Sequence, residues 1–228
     1  MKKFNLSINK IIILLFLSIK PLHSAEMTDP IKVDWSFKGL TGTFDRASLQ
    51  RGFQVYKEVC SSCHSMQYLS YRNLGESGGP EFTEAEVKAI AASFEVTDGP
   101  DSQGEMFTRP GRPSDMFVSP HPNKEAAAAA NGGAYPPDMS VLVKARKGGA
   151  NYIYSVLVGY EDPPPGVTLD QGVYYNKYMI GNKIKMPNNL EDGLIEYADG
   201  TDSTVDQMAK DVTTFLAWAA EPELEERH

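Results

Sequence analysis

The chain has 228 residues, 41% hydrophobic and 23% charged, and its 30 acidic against 22 basic side chains give a formal charge of −8. That length suffices for one domain with a proper core. The acidic balance argues against nucleic acid or anionic lipid head groups as partners and suits a basic protein docked by electrostatic steering, although composition equally allows that acidity only aids solubility.

Residues 1–25 carry Lys2, Lys3 and Lys10, an apolar run from Ile11 to Ile19, then Pro21, Leu22, His23, Ser24 and Ala25. This is the layout of a secretory signal peptide, with an apolar run too short to span a bilayer by itself. Cleavage after Ala25 puts His23 at minus three and cleavage after Ser24 puts Leu22 there, so both sites stay open. Residues 1–24 read as the signal peptide, and the mature chain is expected outside the cytoplasmic membrane. Removing them takes away four lysines and no acidic residue, which moves the formal charge from −8 to −12.

From Glu26 to Thr43 no period is sustained, though Trp35, Phe37 and Leu40 can lie against the body of the protein. Leu49, Phe53, Tyr56 and Val59 recur at the spacing of one apolar helix face and predict a helix over 44–59. It leads into Cys60-Ser61-Ser62-Cys63-His64, which holds the only two cysteines of the chain. The spacing C-x-x-C-H is the attachment signature of c-type haem. Two thiols three positions apart on a helical turn each form a thioether to one vinyl of the porphyrin, and the next residue points its imidazole at the iron. A redox dithiol calls instead for an alternating βαβ pattern, and a structural zinc site for two further Cys or His ligands at close spacing. Neither is here: His23, His121 and His228 stand apart from one another and from the cysteines.

After the motif, Met66 to Leu74 is aromatic and apolar enough to wrap a haem, and Gly75 to Pro80 breaks it. Thr83 and Glu86 form a capping box for a helix reaching about Phe94. Residues Val96 to Pro122 are rich in Asp, Gly, Ser and Pro and read as one long loop without regular structure, either a cover for a cofactor or a plain surface excursion. Lys124 to Ala130 is a helix stopped by Asn131-Gly132-Gly133. Asp138 is placed to cap a helix through Arg146, and Asn151 to Val158 forms another, ended at Gly159. Pro163-Pro164-Pro165-Gly166 is a turn. Val173 to Tyr175 and Leu194 to Tyr197 have strand character and are expected to pair as a small ribbon. Ser203 caps the final helix, whose Val205, Met208, Val212, Phe215, Leu216 and Trp218 form an apolar stripe before Glu221-Pro222.

Iron bound by His64 has a sixth position, and a methionine thioether there raises the reduction potential and closes the site to substrates. Eight methionines lie outside the signal peptide: Met27, Met66, Met106, Met116, Met139, Met179, Met186 and Met208. Met66 is too near the motif to reach the opposite face of the ring, and Met139 and Met208 lie on apolar helix faces. Met186, in Ile184-Lys185-Met186-Pro187, sits in a polar, irregular stretch with no obvious packing duty. His121, between two prolines, competes with it, and position alone leaves the choice open.

The haem motif with Met66 to Leu74 behind it and Asn131-Gly132-Gly133-Ala134-Tyr135-Pro136-Pro137-Asp138-Met139-Ser140 together resemble the cytochrome c1 family, the haem subunits of the cytochrome bc1 complex (ubiquinol:cytochrome c oxidoreductase). The likeness continues through Lys144-Ala145-Arg146-Lys147-Gly148-Gly149 into Tyr152 to Tyr160, then Tyr174 to Tyr178, Met186-Pro187, and Ala209 to Pro222. It spans nearly the whole mature chain.

The resemblance implies a mostly α fold, an enlarged cytochrome c-type haem domain with long loops and a small β-ribbon over residues 25–222, and one covalently attached haem c. Cys60 and Cys63 would be the thioether anchors, His64 the proximal ligand and Met186 the distal one, which demotes His121. Arg146 matches an arginine beside a haem propionate, its other reading being an exposed helix-end charge. Tyr152, Pro136 and Pro137 match residues lining the haem pocket. The implied work is electron transfer from a Rieske iron–sulfur protein to a basic cytochrome c, beside cytochrome b, at the periplasmic face of the bacterial inner membrane. That relay needs no acid, base or nucleophile, so the chain alone is expected to catalyse nothing.

The family carries a C-terminal transmembrane helix soon after its Ala-Glu-Pro segment. Residues 223–228 read as the polar lead-in to such an anchor, with no second apolar run of spanning length in this chain. Truncation before the anchor and attachment through partners are the two readings. Two other functions stay open: a free periplasmic c-type carrier for a different oxidoreductase, and a thiol–disulfide oxidoreductase whose cysteines would be open to alkylation.

Overall fold

Helix α1 spans Arg46–Glu58 and begins where the Asp45 carboxylate accepts a hydrogen bond from the Ser48 amide. Its apolar face, Leu49, Phe53 and Tyr56, is buried as the three-to-four spacing requires. These positions come from a computed structural model that describes residues 28–227; the signal peptide expected over 1–24 lies outside the described residues, as do Met27 and His228.

The main partner of α1 is the last helix, α5, Val205–Ala220. A Cβ at Gly52 would overlap the Asp211 backbone, so glycine is what lets the two helices touch. Beside that contact the fully buried Asp211 carboxylate accepts from Ser48 Oγ at 2.7 Å, Arg51 Nε at 2.9 Å and Gln207 Nε2 at 3.0 Å. Around this polar lock Phe53, Tyr56, Phe215 and Trp218 pack ring on ring. Burial of each such side chain is worth about 1.5–3 kcal/mol. Thr204, not Ser203, caps α5, because the Ser203 hydroxyl donates to the Ile195 carbonyl instead.

Helix α4, Gly149–Val158, lies against α5 and ends at Gly159 as expected. The N-terminal segment straps across it, with the Ile31 amide donating to Ser155 Oγ at 2.8 Å and Trp35 Nε1 to Asn151 Oδ1 at 2.7 Å. Trp35 is buried and stacks on Phe37, but Leu40 is 89% exposed and takes no part in the core. At the other end, residues expected only as a polar lead-in are docked on the body. Glu225 accepts from Arg46 Nη2 at 2.7 Å and from the Phe44 amide at 2.7 Å.

Helix α2, Glu84–Ala92, starts with the expected capping box of Thr83 and Glu86. The long loop then departs from expectation, since Glu95–Asp98 (β1) and Phe107–Pro110 (β2) form an antiparallel hairpin. Val96, Thr97, Phe107 and Thr108 favour extended backbone, and Arg109 ties Asp98 to Asp115 just beyond the hairpin. Helix α3, Lys124–Ala130, begins at Asn123 and is stopped by Gly132 and Gly133, both at positive φ. A second sheet pairs Tyr174–Tyr175 (β3) with Lys183–Ile184 (β4), not with 194–197. The left-handed residues Gly181 and Asn182 turn the chain back on itself at once, while Ile195 and Tyr197 go into the core.

The helix expected from Asp138 to Arg146 is a series of turns. The Asp138 side chain is engaged with the haem-motif segment described below and accepts only from the Ser140 amide on its own side. Among the described residues the fold comprises five α-helices and two two-stranded sheets joined by long loops, so the mostly α class with a small ribbon holds. No helix among them is long and apolar enough to cross a membrane.

Candidate functional site: the cysteine-histidine turn

At the end of α1 the chain tightens into one 3-10 turn, Cys60–Ser62, with the Cys63 and His64 amides both donating to the Cys60 carbonyl, at 3.2 and 2.9 Å. The two residues between the cysteines have a structural role. Ser61 Oγ donates to the Lys57 carbonyl at 2.7 Å and Ser62 Oγ to the Val59 carbonyl at 3.0 Å, which satisfies acceptors that the helix end leaves open. Both cysteines are free thiols on this turn.

His64 is 8% exposed, and its Nδ1 lies 2.8 Å from the Pro137 carbonyl oxygen. A carbonyl only accepts, so Nδ1 carries the proton and Nε2 keeps its lone pair. Burial lowers the imidazole's affinity for a second proton, outweighing the Pro137 carbonyl and the Asp138 charge that favour the cation. The ring is thus a neutral base presenting Nε2, the form that ligates a metal.

The loop that supplies Pro137 is stitched to the segment after His64. Asp138 Oδ2 accepts from Ser65 Oγ at 2.8 Å and from the Gln67 amide at 2.9 Å, while Oδ1 accepts from the Ser140 amide at 2.9 Å. The Met139 amide donates to the Ser65 carbonyl at 2.8 Å and the Tyr68 amide to Ser140 Oγ at 3.1 Å. Burial pushes the Asp138 carboxyl up, but the bonds from Ser140, Gln67 and Ser65 prevail and hold it below the usual range. Asp138, expected to cap a helix, is a clamp instead, and no local feature of the residues separates the two roles, because its partners Ser65 and Gln67 are distant in the chain.

Two cavities meet at Cys63. One, of about 1020 Å³, is lined by Cys63, Tyr68, Phe117, His121, Pro136 and Pro137 among others. The other, of about 480 Å³, is lined by Val59, Cys63, Pro187 and Ile195 among others. Pro136 and Pro137 therefore stand beside the motif. The stretch 66–74 does not wrap the cavity as expected: Met66, Leu69, Tyr71 and Leu74 turn into the protein core, and only Gln67 and Tyr68 line the opening.

Met66, Met139 and Met208 are core residues. Met139 reaches the core from a turn and not from a helix. Met186 follows β4 in an irregular stretch held from two sides, by Tyr160 Oη donating to the Met186 carbonyl at 2.9 Å and by Lys185 Nζ donating to the Gly132 carbonyl at 2.9 Å. The next residue, Pro187, lines the smaller cavity with Cys63. Of the expected site residues, Cys60, His64, Met186, Arg146 and Tyr152 line neither cavity. Arg146 is exposed and no carboxylate among the described residues pairs with it; Tyr152 Oη donates to Met179 Sδ at 3.1 Å. Burial pushes the Tyr152 phenol up, and the Arg146 charge opposes it.

The residues fit a c-type haem: two thiols on one turn, an adjacent imidazole whose Nδ1 is taken by the Pro137 carbonyl so that Nε2 keeps its lone pair, and two cavities that share Cys63 in their linings. They suit a dithiol catalyst less well, since no βαβ unit surrounds the turn among the described residues and burial pushes the Cys60 thiol up, opposite to what a reactive cysteine needs. For zinc, the pair lacks further ligands, since no group of three or more His, Cys, Asp or Glu is placed for a metal among the described residues.

A mostly helical body that carries this turn defines a c-type cytochrome. The profile of the Cytochrome C1 family matches residues 35–228. The chain is 55% identical over 193 residues to cytochrome c1-2, heme protein, mitochondrial, of Solanum tuberosum, covering 85% of this chain and 73% of that protein. It is 51% identical over 212 residues to cytochrome c1 of Rhodospirillum rubrum, covering 86% and 77%. It is also 51% identical over 199 residues to the cytochrome b-c1 complex catalytic subunit, mitochondrial, of Candida albicans, covering 87% and 68%. Across the four plant relatives the aligned stretch makes up 59 to 73% of their own length. The chain belongs to the cytochrome c1 family, whose members are electron-transfer proteins with haem c as cofactor.

Proposed function

We propose that this chain is the haem c subunit of a cytochrome bc1 complex, taking an electron from a Rieske iron–sulfur protein and passing it to a cytochrome c. The observation that carries the reading is the His64 imidazole, oriented by the Pro137 carbonyl inside a C-x-x-C-H turn. Bound haem c supplies the one-electron redox chemistry. Cys60 and Cys63 would anchor it through thioethers, and His64, through Nε2, and Met186, on its tethered segment, would hold the iron. Pro136 and Pro137 would wall the site, and Arg146, with which no carboxylate among the described residues pairs, would meet a propionate beside Tyr152. No side chain acts as acid, base or nucleophile, so the chain is an electron-transfer subunit and not an enzyme alone.

A curated relative named as a b-c1 complex subunit supports assembly with cytochrome b in a membrane complex. The signal-like residues 1–24 support a periplasmic face, with residues 25–222 as the exported haem domain and 223–228 leading to a membrane anchor or to partners. The formal charge of −12 left after their removal favours a basic acceptor.

The test is to express the chain in a bacterium lacking its own cytochrome c1, solubilise the membranes and purify it. Co-purification with cytochrome b and the Rieske protein, and quinol-driven cytochrome c reduction that falls at least 100-fold in His64→Ala, are expected. A haem protein that purifies without cytochrome b would be the free carrier instead. Alkylatable cysteines without a Soret band would point to thiol chemistry.

A further inference from the structure

We infer that Asp138 is a positioning residue for the proximal ligand: its carboxylate fixes the peptide whose carbonyl holds the His64 ring, and through that ring it sets the haem's reduction potential. The inference rests on His64 being the iron ligand.

The Pro137 carbonyl and the Asp138 amide belong to one rigid peptide plane. On one side of that plane two consecutive prolines restrict the backbone. On the other, the Asp138 side chain is held by three donors, and two of them, Ser65 Oγ at 2.8 Å and the Gln67 amide at 2.9 Å, come from the chain immediately after His64. The third, the Ser140 amide at 2.9 Å, closes the loop on its own side. Backbone bonding of Met139 to Ser65 at 2.8 Å runs alongside. The acceptor of the Nδ1 proton and the ring that donates it are therefore parts of one frame, with Asp138 at the junction.

Two consequences have the same sign. A well-aimed Nδ1–H···O=C bond makes the imidazole a stronger donor to iron, which favours the ferric state. A fixed carboxylate charge one residue from that carbonyl also favours the more positive ferric state. Weakening Asp138 should therefore favour reduced haem.

The experiment compares haem-attached wild type, Asp138→Asn and Ser65→Ala by redox titration, with NMR exchange of the His64 Nδ1 proton in the reduced state. Asn keeps the shape but loses the charge and one acceptor; Ser65→Ala removes one donor and no charge. In Asp138→Asn the oxidised-to-reduced ratio at fixed ambient potential is expected to fall several-fold, where tenfold corresponds to about 59 mV for one electron. Ser65→Ala should move it less, in the same direction, and both variants should speed Nδ1 exchange while keeping covalent haem. Wild-type potential and exchange in a haem-loaded Asp138→Asn would overturn the inference. If that variant does not accumulate, Ser65→Ala decides by the same two readouts. NMR showing iron on a residue other than His64 in wild type would defeat the underlying reading, a result distinct from an unshifted potential.

Discussion

The α1/α5 frame and the loops around the cysteine-histidine turn are held together in different ways. In the frame, periodic apolar faces meet over Gly52, and the polar lock on Asp211 sits inside a continuous aromatic core. In the loops, single side chains do the joining: Asp138 ties 137–140 to 65–67, Asn176 bridges α4 and the β3–β4 ribbon, and Tyr160 fixes the Met186 carbonyl. Packing spreads its stabilisation over many contacts, whereas a loop clamp concentrates it in two or three bonds. Damage to the frame should therefore cost global stability, and damage to a clamp should loosen one segment of the site.

The largest effect should come from Asp211→Ala, which takes away the buried acceptor shared by Ser48, Arg51 and Gln207 and leaves Arg51 paired only with the more exposed Asp199. A loss of about 3–5 kcal/mol is expected in urea denaturation of the haem-loaded protein; a loss under about 1 kcal/mol would show that the lock is not part of the frame's stability. Asn176→Ala comes next. Asn176 is fully buried, its Nδ2 donating to the Val156 carbonyl at 2.7 Å and its Oδ1 accepting from the Tyr178 amide at 3.1 Å. The expected cost is about 1–3 kcal/mol, with hydrogen exchange accelerated at Tyr178 and in β3 and β4 but not in α1. Uniform acceleration through α1 and α5 would erase the contrast between frame and clamp.

Thr83→Ala removes the cap of α2 and should lower stability by about 1 kcal/mol, read as a small shift of the thermal midpoint. The smallest effect concerns acid. Arg109 holds the Asp115 carboxyl down at about 2, with burial working against it, below the roughly 3.9 of an unfolded aspartate. Its contribution is complete above about pH 4 and lost as pH falls toward 2. Asp115→Asn should flatten the stability profile in that window and leave it unchanged near neutrality apart from a constant offset, as denaturation midpoints at several pH values would show.

The same contrast explains what could be read from the residues. The helices over 46–58, 84–92, 124–130 and 149–158 are legible from local signals, the apolar period in the first, the Thr83 and Glu86 capping box in the second, and the stops at Gly132-Gly133 and Gly159 in the others, because packing and terminal hydrogen bonds act within a few turns. The haem motif is equally local, since thiols and imidazole must share one turn. What escaped was decided by distant partners. Asp138 resembles a helix cap until its carboxylate meets Ser65 and Gln67, more than seventy residues earlier. Ser203 resembles one too until it meets Ile195, which leaves Thr204 to cap α5. Residues 194–197 have strand composition, but the left-handed pair Gly181 and Asn182 gives β3 a nearer partner. Of the expected site residues, Cys63, Pro136 and Pro137 line one opening and Pro187 places the Met186 segment beside the other, while Cys60, His64, Met186, Arg146 and Tyr152 line neither.

The proposed function puts His64 and Met186 on the iron of one covalently attached haem. The most direct test is a set of oxidised and reduced absorption spectra of the haem-loaded protein and of Met186→Leu. In wild type a weak band at the red edge of the oxidised spectrum should report methionine–iron ligation, and in the variant that band should vanish while the haem stays covalently bound. Survival of the band in Met186→Leu would contradict the ligand assignment, and failure of wild type to attach haem where a control cytochrome matures would contradict the account at its root.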